Sequence, residues 1–461
     1  VMLKRLFILL IIITVNLFLI AYPTFAQDDP DGPTYVIRQG DTLYDIAVRF
    51  GVSVNDIIIA NNLVNPDTLS IGDSIIIPGY EGISGVLEIR TVQLGEDFET
   101  IVYSEGVSAS VLSRLNAISS PNEVYAGRSL IIPTSLEKTS KSLIFGFGDN
   151  PLLYSSVKLQ INPWHLLLLN DKQASWKFAG DVSTFAPPSV GNIENITSSP
   201  NIITISPLPL VQGKTAIITV NNPDIGTYNA TLDDQDLYFY PAGDHWIARI
   251  GIPAMQDTGL VNFSFDQLSN DTQKYSISQP VLIESGQFLN ETVSGVQSTT
   301  ISSETIQEED TILSTIKSNI TNKLWNGTFK FPVDEPCIGS GFGNRRSYNN
   351  GAYLYFHTGM DFTICSANNL NIYAPAPGII AFTGQLPIKG NFTVIDHGQG
   401  IMSGYAHQSE ILVNIGDQVE TGQLIGVIGN TGRSVGPHLH WEVWVNGIPV
   451  NPFDWTQTAY E

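Results

Sequence analysis

Five of the chain's seven histidines fall after residue 350, at His357, His397, His407, His438 and His440. Their local strings are His357-Thr-Gly-Met-Asp361, Tyr405-Ala-His407 and Gly436-Pro-His438-Leu-His440-Trp-Glu442. On an extended strand two residues two apart project from one face, so His438 and His440 share a side. His357 and Asp361, four apart, can share a face of an extended or turned segment. Two imidazoles and a carboxylate brought together suit zinc, and three protein ligands leave a fourth tetrahedral position for water, which is the catalytic rather than the structural arrangement. Zinc acidifies such a water and polarises a carbonyl. Neighbouring neutral imidazoles can then orient the water, move protons or stabilise a developing oxyanion. His397, in Ile-Asp-His-Gly-Gln-Gly, reads as a structural histidine with its hydrogen bonds satisfied.

These strings occur in order with Gly341-Phe-Gly-Asn-Arg345, Ala374-Pro-Ala-Pro-Gly378, Gly416-Asp417, Gly422-Gln423 and Gly429-Asn-Thr-Gly432. Together they resemble the lysostaphin/LytM-type zinc endopeptidase family over most of Ser340 to Trp455. The resemblance implies a compact antiparallel β-sheet with the site in a groove and one Zn2+ per peptidase domain. It makes His357, Asp361 and His440 the zinc ligands, and His407 and His438 the catalytic histidines. Arg345 and Tyr405 are candidates for substrate binding, although Arg345 and Arg346 equally suit pairing with nearby acids. Two departures from the family pattern are Gln408, where leucine is usual, and a longer Tyr348 to Phe356 segment.

The elements before this domain read as targeting modules. Tyr35 to Pro78 contains Gly40-Asp41-Thr42-Leu43 and ends Gly72-Asp-Ser-Ile-Ile-Ile-Pro78; a second copy ends at Pro133 and a weaker third at Pro187. The interval from Asn61, Asn116 and Asn170 to the closing proline is 17 in each copy. Each copy reads strand, helix, helix, strand, with caps at Thr42 and Ser53 and apolar residues at helical spacing (Leu43, Ile46, Ala47, Phe50). The copies resemble LysM modules, which implies binding to glycans of peptidoglycan. The third has lost the Gly-Asp-Thr-Leu opening and reads as a spacer. From Pro207 to about Phe288, short strands separated by Gly, Pro, Asn and Asp suggest a β-sandwich, similar to the immunoglobulin-like domain that often precedes such a peptidase. The expected layout is a multidomain, mainly β chain: signal peptide 1–26, LysM repeats 34–79, 88–134 and 143–188, sandwich 200–288, linker and short helix 289–325, and peptidase domain 326–461.

Lys4 and Arg5 precede an apolar run from Leu6 to Ala21, and Thr24-Phe25-Ala26 offers a cleavage point, the pattern of a secretory signal. An uncleaved segment of this kind would anchor the chain to a membrane. The expected location is therefore extracytoplasmic, secreted or in the cell envelope. In that setting Cys337 and Cys365, the only cysteines, read as a disulfide. The net charge of −22, from 44 acidic and 22 basic residues, excludes nucleic acid as a partner, because phosphate binding needs clustered Lys and Arg. The resulting expectation is an endopeptidase acting on peptidoglycan. Its rivals are a non-catalytic wall-binding protein or amidase activator that keeps the fold, and a peptidase acting on a secreted protein.

Overall fold

The computed structural model describes residues 32–64, 69–134, 142–145, 182–185, 203–221, 227–269, 272–318, 320–365 and 369–461. The expected signal segment and nearly all of the third repeat lie outside the described residues. No helix among the described residues is long and apolar enough to cross a membrane. The chain is mainly β and clusters into two units: residues 1–90 with 105–119 and 130–140, and residues 91–104 with 120–129 and 141–461.

In the first unit the strands Thr34–Val36 and Ser74–Ile76 pair antiparallel around the helices Leu43–Phe50 and Val54–Ala60. Thr42 and Ser53 cap the helices by accepting from Asp45 N and Asp56 N, and Gly51 ends the first helix at φ 66°. The recurring asparagine now has a physical cause. Asn61 Nδ2 donates to Ile57 O (2.9 Å) and Ile76 O (2.8 Å), while its Oδ1 accepts from Ile76 N (2.6 Å), so it joins the second helix to the closing strand. Asn116 makes the same three bonds with Leu112 and Ile131. The amide acts as an extra rung of sheet, which neither aspartate nor glutamine supplies at that reach.

In the second unit, the four-stranded sheet Phe239–Ala242, His245–Gly251, Thr215–Asn221, Ile203–Ser206 and a five-stranded sheet share one core. That core takes Ile218 and Ile250 from the first sheet and Phe263, Phe265 and Val281 from the second. The C-terminal part is a larger sheet, in the order Ile338–Ser340, Met360–Thr363, His438–Val445, Ile401–Ile411, Gly390–Gly398, Gly378–Leu386 and Gln418–Val419. Alternation along His438–Val445 sends Leu439, Trp441, Val443 and Val445 into the main apolar cluster, leaving His438, His440 and Glu442 on the other face. Register fixes their partners: Asp361 stands opposite His440, and Ala406 opposite His440 on the other side. Cys337 and Cys365 are bridged.

One expectation is corrected here. Residues 290–293, read from the sequence as linker, form a strand, Asn290–Val293, paired parallel with Arg345–Tyr348. The short helix expected within 289–325 spans Ser303–Lys317, where Ser302 accepts from Thr305 N and caps it. A Ser/Thr-rich composition resembles a linker, yet its backbone finds partners on a neighbouring strand.

Candidate metal centre and active site

His357 Nε2, Asp361 Oδ1 and His440 Nδ1 lie 2.9 Å from one another in all three pairs. All three residues are buried. Their outer contacts decide where the protons sit. His357 Nδ1 is 2.8 Å from Gly341 O, which only accepts, so Nδ1 carries the proton and Nε2 is bare. His440 Nε2 is 2.9 Å from the Glu442 carboxylate, so Nε2 donates there and Nδ1 is bare. Asp361 supplies the carboxylate, its Oδ2 accepting from the Arg346 guanidinium (2.9 Å) while Oδ1 faces the two rings. With both rings neutral, their lone pairs and that of the carboxylate converge on one point. Without a cation that arrangement is repulsive; a divalent ion of zinc's preferences, with bonds of about 2.0–2.1 Å, turns it into a ligand set. The residues fit the metal.

Each ligand is held from behind. Arg346 Nη2 donates to Asp361 Oδ2 (2.9 Å). Glu442 also accepts from Lys389 Nζ (2.5 Å) and from the Thr358 hydroxyl. Such partners orient the ligand rings and raise their basicity. Lys389 and His440 hold the Glu442 carboxyl well below its ordinary value against the effect of burial.

His407 and His438 stand beside this centre, with ring centroids 4.7 Å apart, and His438 Nε2 is 3.7 Å from Asp361 Oδ1. His407 Nδ1 donates to Thr431 O (2.7 Å) and His438 Nδ1 to Gly436 O (2.8 Å), so in each ring Nε2 is the nitrogen left to face the site. Burial keeps the His407 imidazole neutral, well below its ordinary pKa. Burial likewise pushes His357 down to about 4.

Two sequence candidates sit elsewhere. Tyr405 does not line a groove: it is fully buried, and its hydroxyl is 2.7 Å from Ser403 Oγ. It stands opposite core residue Trp441, and regular alternation would carry His407 inward with it. His407 reaches the site face through its left-handed backbone, φ 62°. Arg345 points away from the centre, donating through Nη2 to Ala254 O (3.0 Å) and lying over the Phe288 ring. The neighbouring Arg346 carries the contact with acids. His397 is structural, with Nδ1 2.8 Å from Pro377 O and Nε2 2.8 Å from Ser403 Oγ. Sequence reasoning gave no role to Glu442, Lys389 or Thr358. Of these only Glu442 left a signal, two residues beyond His440 on the same strand face.

Residues 355–452 match the model of Peptidase family M23, and residues 35–78 and 91–133 match that of the LysM domain. The peptidoglycan DD-endopeptidase ShyA of Vibrio cholerae is 42% identical over 123 residues, covering 26% of this chain and 28% of that protein. The DD-carboxypeptidase/endopeptidase Mpg of Neisseria meningitidis is 43% identical over 96 residues, 21% of this chain and 22% of that protein. The chain thus matches less than a third of the length of these curated relatives. Among solved structures, a zinc-containing peptidase from Vibrio cholerae is 17% identical, with a TM-score of 0.26, over 91% of this chain and 98% of that one.

Proposed function

We propose that this chain, which carries an M23 peptidase domain and two LysM domains, is an exported zinc-dependent endopeptidase that hydrolyses peptide crosslinks of peptidoglycan. His357, Asp361 and His440 would hold one zinc ion, which supplies Lewis acidity and an acidified water. His407 and His438, through the Nε2 atoms that face the site, would take a proton from the attacking water and return one to the leaving amine. Their Nδ1–H bonds to backbone carbonyls fix the tautomer that this needs. The LysM modules hold the wall glycan and raise the local concentration of substrate. The domain layout expected from the sequence accompanies this reading: an N-terminal signal, an immunoglobulin-like sandwich at 200–288 and a peptidase domain at 326–461.

The observation that carries the reading is the convergence of His357 Nε2, Asp361 Oδ1 and His440 Nδ1 on one point, 2.9 Å apart in each pair. The retention of both neighbouring histidines argues against a non-catalytic wall-binding role. The test pairs metal analysis with a rate assay on defined peptidoglycan. Chelation is expected to abolish hydrolysis and zinc to restore it. His357→Ala, Asp361→Ala and His440→Ala should each hold less than one zinc per chain. His407→Ala and His438→Ala should keep the metal and lose on the order of 10²-fold or more in turnover. Full activity in metal-free protein refutes the assignment.

A further inference from the structure

Two carboxylates reach the metal centre from the segment before the matched peptidase stretch. Glu291 lies on the strand Asn290–Val293, in register with Arg346. Its Oε2 accepts from Arg346 Nε (3.0 Å) and Ser340 Oγ (2.9 Å). The same guanidinium donates through Nη2 to Asp361 Oδ2 (2.9 Å) and to Ser340 Oγ (3.1 Å). Glu291 thereby fixes the fork that fixes the ligand carboxylate. Arginine's planar donors make this a rigid relay, since orienting one edge of the guanidinium orients the other.

Glu309 approaches from the opposite flank. It lies on the helix Ser303–Lys317, where Glu308 and Asp310 on either side are exposed and Glu309 is 2% exposed. Its Oε2 accepts from Ile388 N (2.6 Å) and Lys389 N (3.4 Å), at the hairpin joining Gly378–Leu386 to Gly390–Gly398. The Lys389 carbonyl accepts from His407 N (2.8 Å), the residue with left-handed backbone, and the Lys389 ammonium binds Glu442, which holds His440. A buried carboxylate needs compensating donors, and here they are the backbone amides of the turn that positions both histidines.

We propose that the segment 290–317 is a working part of the metal centre, with Glu291 positioning Asp361 through Arg346 and Glu309 positioning His407 and His440 through residues 388–389. The inference rests on the reading of the site as a zinc centre. It predicts that a peptidase domain cut at residue 320 is incomplete, although every ligand lies beyond that point.

The test uses the full chain, with zinc affinity read by competition against a chromogenic chelator and kcat and KM measured on a soluble crosslinked peptide. Glu291→Ala is expected to weaken zinc binding about 10-fold, the low end of the effect of losing a ligand's direct outer partner, because Arg346 keeps its own bond to Asp361 but loses the carboxylate that orients it. Glu291→Gln, which keeps an oxygen for Arg346, should recover part of that loss. The Glu291 side chain is 30% exposed at the edge of its sheet, so its removal leaves the fold in place and decides its half by itself. For Glu309, Gln keeps an acceptor for Ile388 N whereas Met fills the space without one. Glu309→Met should lower kcat about tenfold or more at unchanged KM, with Glu309→Gln close to wild type. Wild-type zinc affinity in Glu291→Ala overturns the first half, and equal turnover in the two Glu309 variants overturns the second. If wild-type protein itself takes up no zinc, the reading of the site has failed, and that control separates the two failures.

Discussion

Acid is expected to weaken the C-terminal domain through His397, a residue bonded to Pro377 O and Ser403 Oγ rather than to the candidate metal centre. The ring is fully buried against Phe329, and burial pushes its pKa down to about 4, with the hydrogen bond to Pro377 O opposing the shift only weakly. The ordinary value, which applies to the unfolded chain, is about 6.5. Between those values the unfolded chain binds a proton that the folded domain refuses. Stability therefore falls as pH drops through 6.5 and stops falling on this account below about 4. From pH 7 to pH 5 the loss assigned to this one ring is about 1.8 kcal/mol, out of about 3.4 kcal/mol for the full shift. His357 and His407 are also buried and neutral, so total acid sensitivity does not isolate His397. A difference does. In His397→Asn the amide can still donate towards Pro377 O, but nothing at that position titrates. Urea unfolding followed by tryptophan fluorescence, reporting on buried Trp325, Trp441, Trp444 and Trp455, gives the stability of each form at saturating zinc. The wild type's advantage over the variant should shrink by about 1.8 kcal/mol between pH 7 and pH 5. An advantage that stays constant over that range refutes the neutral, desolvated ring.

Two further outcomes test the N-terminal modules. Asn61→Ala and Asn116→Ala each remove three side-chain hydrogen bonds, two of them to the closing strand, and each should cost about 1–3 kcal/mol locally, read as amide exchange at Ile76 and Ile131 about tenfold or more faster. Because residues 27–190 carry 19 acidic and 10 basic residues, a net charge of −9, their binding to an acidic wall should hold or strengthen as salt rises from 0.01 M to 0.1 M and the Debye length falls from about 30 Å to about 10 Å. A pulldown in which binding collapses with salt overturns recognition by hydrogen bonds and apolar contact.

Part of the candidate site was legible because its information is local. His438 and His440 are two apart on a strand and His357 and Asp361 flank a short turn, so spacing shows which side chains can share a face; choosing His440 rather than His438 as the partner of His357 and Asp361 came from the resemblance to the lysostaphin/LytM-type family. Asn61 and Asn116 were legible as a period without a cause, since the bonds they make cross 15 residues to a strand that the count does not reveal. Glu309 was not legible at all. Three consecutive acids read as a solvated helix face, and only tertiary packing selects the middle one for burial. Glu291 failed for the same reason, its partner lying 55 positions away.

Tyr405 was misplaced for a more instructive reason. A Tyr-x-His spacing on a strand puts both side chains on one face, and the sequence offers no glycine or asparagine at 407 to warn that the alternation breaks. A histidine at φ 62° costs on the order of 1–3 kcal/mol and persists only where its surroundings over-determine it. The surroundings do so here: Lys389 O takes its amide proton, Thr431 O takes its Nδ1 proton, and both acceptors belong to turns that pack together. At Gly390 and Gly432 a Cβ would lie within 2.6 Å of the facing backbone, so only glycine lets the two turns close to that distance. The glycines of Lys389-Gly390 and Thr431-Gly432 thus act on chemistry at one remove. They bring together the two carbonyls that turn His407 out of the core row it would otherwise share with Tyr405 and present its Nε2 to the metal centre.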